Sequence, residues 1–117
     1  MTGNEYQQEA LRTEGVLLPF DMSSTDMNRL LQGLMGLNGE AGEAIDILKK
    51  HLFQGHAFDR EHLMKELGDV AWYLAVSADA LGFTLDEVLE CNVAKLRKRY
   101  PNGFECERSR NRSGKDV

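Results

Sequence analysis

Residues 58–83 read FDREHLMKELGDVAWYLAVSADALGF, and this stretch decides the fold. Leu63, Leu67, Val70, Leu74, Ala78 and Leu81 recur at the 3.6-residue period of an α-helix with one apolar stripe. Asp59 is a good N-cap, and Phe58 and Leu63 stand where a hydrophobic staple would clasp the helix start. At the other end Gly82 suits the left-handed residue that follows many helices. Inside the helix Glu66 and Asp69 are three residues apart, so both carboxylates leave the same face.

Upstream, a second long helix is expected from Ser24 or Thr25, both N-cap residues, towards Leu52. Its stripe reads Met27, Leu30, Leu31, Leu34, Leu37, Ala41, Ile45 and Leu48. The short polar connection over residues 54–59, with Gly55 at the turn, favours antiparallel packing of the two. Downstream, Thr84 and Glu87 form a capping box, with Phe83 and Val88 as a second staple, opening a helix from Leu85 to Arg99. Tyr100-Pro101 stops it. A shorter helix is expected over residues 4–14, broken by the segment containing Pro19. The expectation is an all-α, antiparallel bundle of about four helices, in one domain over residues 1–104. Residues 105–117 are charged and poor in apolar side chains, so they read as a polar, disordered tail.

With 42% apolar and 28% charged residues, the composition is that of an ordinary globular chain, and no apolar run is long enough to span a bilayer. The N-terminus lacks the basic and apolar pattern of a signal peptide, so a cytoplasmic location is expected. Cys91 and Cys106 have no metal-binding spacing and are expected to be reduced. A net charge of -5 argues against nucleic acid as the partner. Lys95, Arg97, Lys98 and Arg99 nonetheless form one basic cluster, which fits a small phosphorylated ligand.

The two helices carry two carboxylate pairs, Glu40 with Glu43 and Glu66 with Asp69. Antiparallel packing would bring all four together at one edge of the bundle. Clustered carboxylates repel unless a cation neutralises them. All-oxygen ligands select hard ions such as Mg2+ or Mn2+. His62, one turn before Glu66, is the only nitrogen donor in reach, and neither pair has histidine at the third position. Gly33 and Gly36, on the flank of the first pair, leave room for something to approach. Spacing alone leaves two readings open, a metal site or solvated surface charge.

The motif and its surroundings resemble the MazG-like all-α nucleotide pyrophosphohydrolases, a group that includes the dimeric dUTPases and phosphoribosyl-ATP pyrophosphohydrolases. That group's E-x-x-E, spacer, E-x-x-D pattern is matched by Gly39-Glu40-Ala41-Gly42-Glu43, a spacer of 22 residues, and Glu66-Leu67-Gly68-Asp69. Asn92-Val93-Ala94-Lys95-Leu96-Arg97-Lys98-Arg99-Tyr100-Pro101 is similar to its N-x-x-K-L-x-x-R-Y-P segment. The resemblance spans residues 4–104.

The resemblance implies that Glu40, Glu43, Glu66 and Asp69 bind Mg2+, with Mn2+ a substitute, and are catalytic together with Lys95. It also implies that Asn92, Lys95 and Arg99 contact a triphosphate and that Tyr73 shapes the nucleotide pocket. The implied reaction cleaves a nucleoside triphosphate between the α and β phosphates, releasing a monophosphate and pyrophosphate. A phosphoribosyl-ATP pyrophosphohydrolase or a catalytically silent nucleotide-binding module are the alternatives. Neither membrane nor nucleic acid is implied as a partner. So few helices leave apolar surface uncovered, and a homodimer or homotetramer is expected to cover it. Among the other residues, Met27, Met35 and Met64 read as core fillers, Trp72 and Phe53 as core or interface, and His51 and His56 as surface.

Overall fold

Local signals at the helix ends set the architecture. In the computed structural model, which describes residues 1–16, 25–112 and 114, five helices follow in order: α1 (Gly3–Leu11), α2 (Met27–Gln54), α3 (Arg60–Ala80), α4 (Leu85–Arg99) and α5 (Cys106–Arg110). The described residues hold no strand, only an isolated bridge between Pro101 and Gly103. The all-helical class is as the periodicity requires. Pro19 and Ser24 lie outside the described residues.

Asp59 and Thr84 cap α3 and α4, accepting the main-chain N–H of His62 at 3.0 Å and of Glu87 at 3.1 Å. Gly82 takes the left-handed conformation. Two starts differ from expectation. Thr2, not Asn4, opens α1, closing a reciprocal capping box with Glu5. Asp26 rather than Ser24 or Thr25 caps α2, accepting the Arg29 N–H at 3.1 Å. The main-chain N–H of Asp26 also donates to the Ala80 carbonyl at 3.0 Å, so attachment to the end of α3 selects among neighbouring cap residues.

α2 and α3 form the structural unit, an extensively packed antiparallel pair, whereas α4 touches α3 only narrowly. The seam on α2 runs through Leu30, Gly33, Leu37, Glu40, Ala44 and Ile47, and on α3 through Leu63, Glu66, Val70, Tyr73, Ser77 and Ala80, all buried or half-buried. Alternating steps of three and four residues keep such a row on one face.

This seam corrects the expected stripes. Leu31, Leu34, Ile45 and Leu67 are exposed, and so are Met35 and Met64, the expected core fillers. The reason is that the long helices are apolar on more than one side, while a single neighbour covers one. Trp72 and Phe53 are likewise exposed. Among the described residues, only Ala78 and Ala80 are buried hydrophobic side chains.

Gly33 and Gly36 face α3 itself rather than a ligand. A Cβ at Gly33 would run into Ser77, and one at Gly36 into the Tyr73 ring. Beyond Pro101 the expected tail is partly helical, since α5 forms and Arg108 donates to the Arg99 carbonyl at 3.4 Å. No helix among the described residues is long and apolar enough to cross a membrane.

Candidate metal and nucleotide site

The seam register places Glu40 of α2 and Glu66 of α3 where a helix pair normally carries apolar side chains. Glu43 follows Glu40 by one turn. Glu40, Glu43 and Glu66 each bring one carboxylate oxygen into a group whose members all lie within 4.8 Å of one another. Glu66 is buried at 7% exposure, Glu40 is half-buried and Glu43 exposed. The cluster therefore runs from the seam to the surface, not along the edge of the bundle.

Asp69 is exposed and outside this tight group, but its charge is close enough to act on Glu40. Tyr73, one turn further along α3, lies over Gly36 and meets the Trp72 ring edge-on at a centroid distance of 4.9 Å. It thus packs against α2 one turn from Glu40.

Electrostatics follow from the crowding. The Glu66 carboxyl beside it, burial, and the charges of Glu43 and Asp69 push Glu40 up to about 7. Glu66 moves the other way, held below the usual carboxylate range by Glu40, then by Glu43 and His62. Crowding thus opposes ionisation of Glu40 while its neighbours carry charge. His62 Nε2 lies 3.1 Å from Glu66 Oε1. Oε2 of Glu66 and Oε2 of Glu40 are both buried without a hydrogen-bond partner. Such oxygens are costly unless something meets them. Hard, anionic and converging, they fit a divalent cation of the magnesium type.

A cavity of about 840 Å3 opens beside the cluster towards the α2–α3 turn, lined by Glu43 and Glu66 and also by Asp46, Lys50, His56, Asp59 and His62. Its polar wall was missed in the sequence. The signal was present: Asp46 continues the three-residue steps of Glu40 and Glu43, and Lys50 follows Asp46 by one turn. Lys50 Nζ lies 2.9 Å and Lys49 Nζ 3.2 Å from Asp46, and these lysines hold its carboxyl below the usual range. His56 belongs to the turn, where its N–H donates to the Lys50 carbonyl at 3.2 Å and its carbonyl oxygen lies 2.8 Å from His51 Nδ1.

Of the basic helix, Lys95 and Arg99 are half-buried and Asn92 is exposed. Among the described residues, no hydrogen bond or ion pair joins the Asn92 or Lys95 side chain to the carboxylates. Within one chain the cluster and cavity are therefore the work of α2 and α3.

Gene 37 protein of Mycobacterium phage L5 is 41% identical over 73 residues, 59% of this chain and 64% of the phage protein. The chain thus spans a little under two thirds of that relative's length. No solved structure matches significantly. Residues 29–104 match the MazG nucleotide pyrophosphohydrolase domain, an interval holding the whole α2–α3 pair from Arg29 onwards together with α4, and the chain belongs to that family.

Proposed function

We propose that this protein hydrolyses nucleoside or deoxynucleoside triphosphates to a monophosphate and pyrophosphate, using Mg2+ held by Glu40, Glu43, Glu66 and Asp69. The observation that carries this reading is the carboxylate cluster inside the helix seam, with two buried oxygens that meet no protein donor. Surface acid pairs would not account for Glu66, which is buried against a like charge. Membership of the MazG family supports the reaction class.

In this reading water attacks the α phosphorus, the bond to the bridging oxygen breaks, and pyrophosphate leaves. Bound Mg2+ would supply charge neutralisation and lower the pKa of water. A carboxylate of the cluster takes the proton lost by the attacking water. Asn92, Lys95 and Arg99 lie along α4 at spacings of three and four and contact the triphosphate oxygens. Tyr73 borders the nucleotide.

The active form is proposed to be a homodimer or homotetramer. A compact monomer of 13.2 kDa would expose about 6,400 Å2, whereas this chain exposes 9848 Å2. Its radius of gyration of 19.6 Å compares with about 13 Å for a compact domain of this length. Leu31, Leu34, Met35 and Ile45 on α2 and Met64, Leu67 and Trp72 on α3 supply the apolar surface that a second copy would cover.

The deciding experiment is a panel of canonical and modified nucleoside triphosphates and phosphoribosyl-ATP, assayed with Mg2+ and with product identification. Monophosphate plus pyrophosphate is the expected outcome. Turnover confined to phosphoribosyl-ATP would move the protein to histidine biosynthesis. Binding of nucleotide without any turnover would make it a silent module, and full turnover in excess EDTA would remove the metal from the reaction.

A further inference from the structure

We infer that His62 is the positioning residue of the carboxylate cluster: it locks the Glu66 carboxylate so that one oxygen remains for the cation. The inference rests on the metal-binding reading above and goes beyond its ligand set.

Three observations carry it. First, the His62 backbone is itself fixed, because its N–H donates to the capping Asp59 Oδ1 at 3.0 Å. Second, one turn later the ring Nε2 meets Glu66 Oε1 at 3.1 Å. A carboxylate that holds a cation has no hydrogen to give, so in the metal-bound state the ring nitrogen facing it is the donor. Third, with Oε1 engaged, the oxygen left over is Oε2, and it is buried with no hydrogen bond. The Glu66 side chain is nine-tenths buried while His62 is about half exposed, at 10% and 54%. The histidine thus reaches in from the cavity wall to a carboxylate that water scarcely approaches. A group in that position fixes the orientation and basicity of a metal ligand without being one.

The test is a Mn2+ titration followed by electron paramagnetic resonance, without nucleotide, on the full chain. Wild type, His62→Ala and His62→Gln are compared. Because His62 is half exposed, all three should fold, which melts in EDTA would verify. His62→Ala should weaken Mn2+ binding roughly 10- to 100-fold, the usual range for loss of an outer partner. His62→Gln, whose amide N–H can still donate to Oε1, should recover most of that loss. A general structural role would show no such rescue.

Unchanged Mn2+ affinity in His62→Ala would overturn the inference while leaving the metal reading intact. Failure of His62→Gln to recover, or a directly bonded 14N coupling to Mn2+ in the wild type, would make His62 a ligand or a packing residue instead. Absence of Mn2+ binding in the wild type would remove the metal reading and this inference together.

Discussion

The two halves of the α2–α3 seam share one register and are built by opposite means. Towards the start of α2, Gly33 sits under Ser77 and Gly36 under Tyr73, Asp26 is tied to Ala80, and Arg29 pairs with Asp79. Everything there closes the gap. One turn beyond Gly36, the same alternation of three and four residues sets Glu40 against Glu66, and a cavity opens beside them. Buried like charges push helices apart. The closed half therefore stabilises the pair against what the charged half costs. A functional site is commonly held at the expense of local stability in this way.

The sharpest way to break the comparison is to neutralise the charged half. Glu66→Gln should lower pyrophosphate release by at least about 100-fold, the upper end of what loss of an outer-shell partner costs a metal site. Glutamine keeps the shape and helix preference of glutamate. In EDTA the variant should melt at the wild-type temperature or slightly above it, because one repelling charge is gone. Mg2+ at a hundred times its dissociation constant should stabilise the wild type by roughly 2.7 kcal/mol, and the variant much less. A variant that keeps full activity, or unfolds in EDTA where wild type does not, would make Glu66 a structural residue.

Two glycines sharpen the contrast from the other side. Gly36→Ala drives a methyl into the Tyr73 ring, an overpacking error of about 1–3 kcal/mol that outweighs a helix-propensity gain of up to about 1 kcal/mol. Its melting temperature should fall by several degrees. Gly39→Ala, one turn on, has nothing within 4 Å of the added carbon, and should raise the melting temperature through propensity alone. If both variants shift alike, the closed half is not close-packed.

The charged half should also give the metal-free protein an unusual pH response. Glu40 is raised from 4.5 to about 7, so the native state holds a proton there that the unfolded chain has released. Stability should therefore decline as pH rises between these values. Glu66, shifted downwards, contributes stability above the unfolded value that is lost only on acidification, below this window. Melts in EDTA at pH 5 and pH 7.5 should show the higher midpoint at pH 5. In saturating Mg2+ the order should reverse, since cation binding favours the deprotonated carboxyls. A metal-free midpoint that rises across this range would contradict the upward shift of Glu40.

How much of this was legible in the sequence depends on which interaction does the specifying. Asp59, Thr84, Gly82 and the stop at Tyr100 were readable because capping and turn chemistry act within a few residues. The pairing of Glu40 and Glu43 with Glu66 followed from spacing, with the resemblance to a family adding their role. The face of α2 that meets α3 was not legible. Leu31, Leu34 and Ile45 are as apolar as Leu30 and Leu37, and only the tertiary register separates covered from uncovered leucines. Burial of Glu66 was likewise hidden, because periodicity assigns charge to the outside. The cavity wall of Lys50, His56 and Asp59 depends on how the turn folds back, a non-local outcome.

The smallest effect should come from Arg29, and its smallness is informative. Arg29 Nη2 lies 2.7 Å from Asp79 Oδ2, good geometry for a charge-assisted hydrogen bond, but the side chains are 45% and 72% exposed. An exposed pair of this kind contributes about 0.2–1 kcal/mol, since water screens the attraction and two long side chains lose freedom. Arg29→Ala should therefore lower the melting temperature by only a few degrees, less than Gly36→Ala, and the loss should shrink as salt is added. Mn2+ affinity and pyrophosphate release should not change, because the ion pair belongs to the closed half, whereas the cluster is several turns away along α2. A loss of Mn2+ affinity in Arg29→Ala would show that the halves are coupled, with the closed end setting the spacing at which Glu40 and Glu66 meet. Independence would show that glycine packing alone holds the register, and that the ion pair only trims the stability of the end where the helices are fastened.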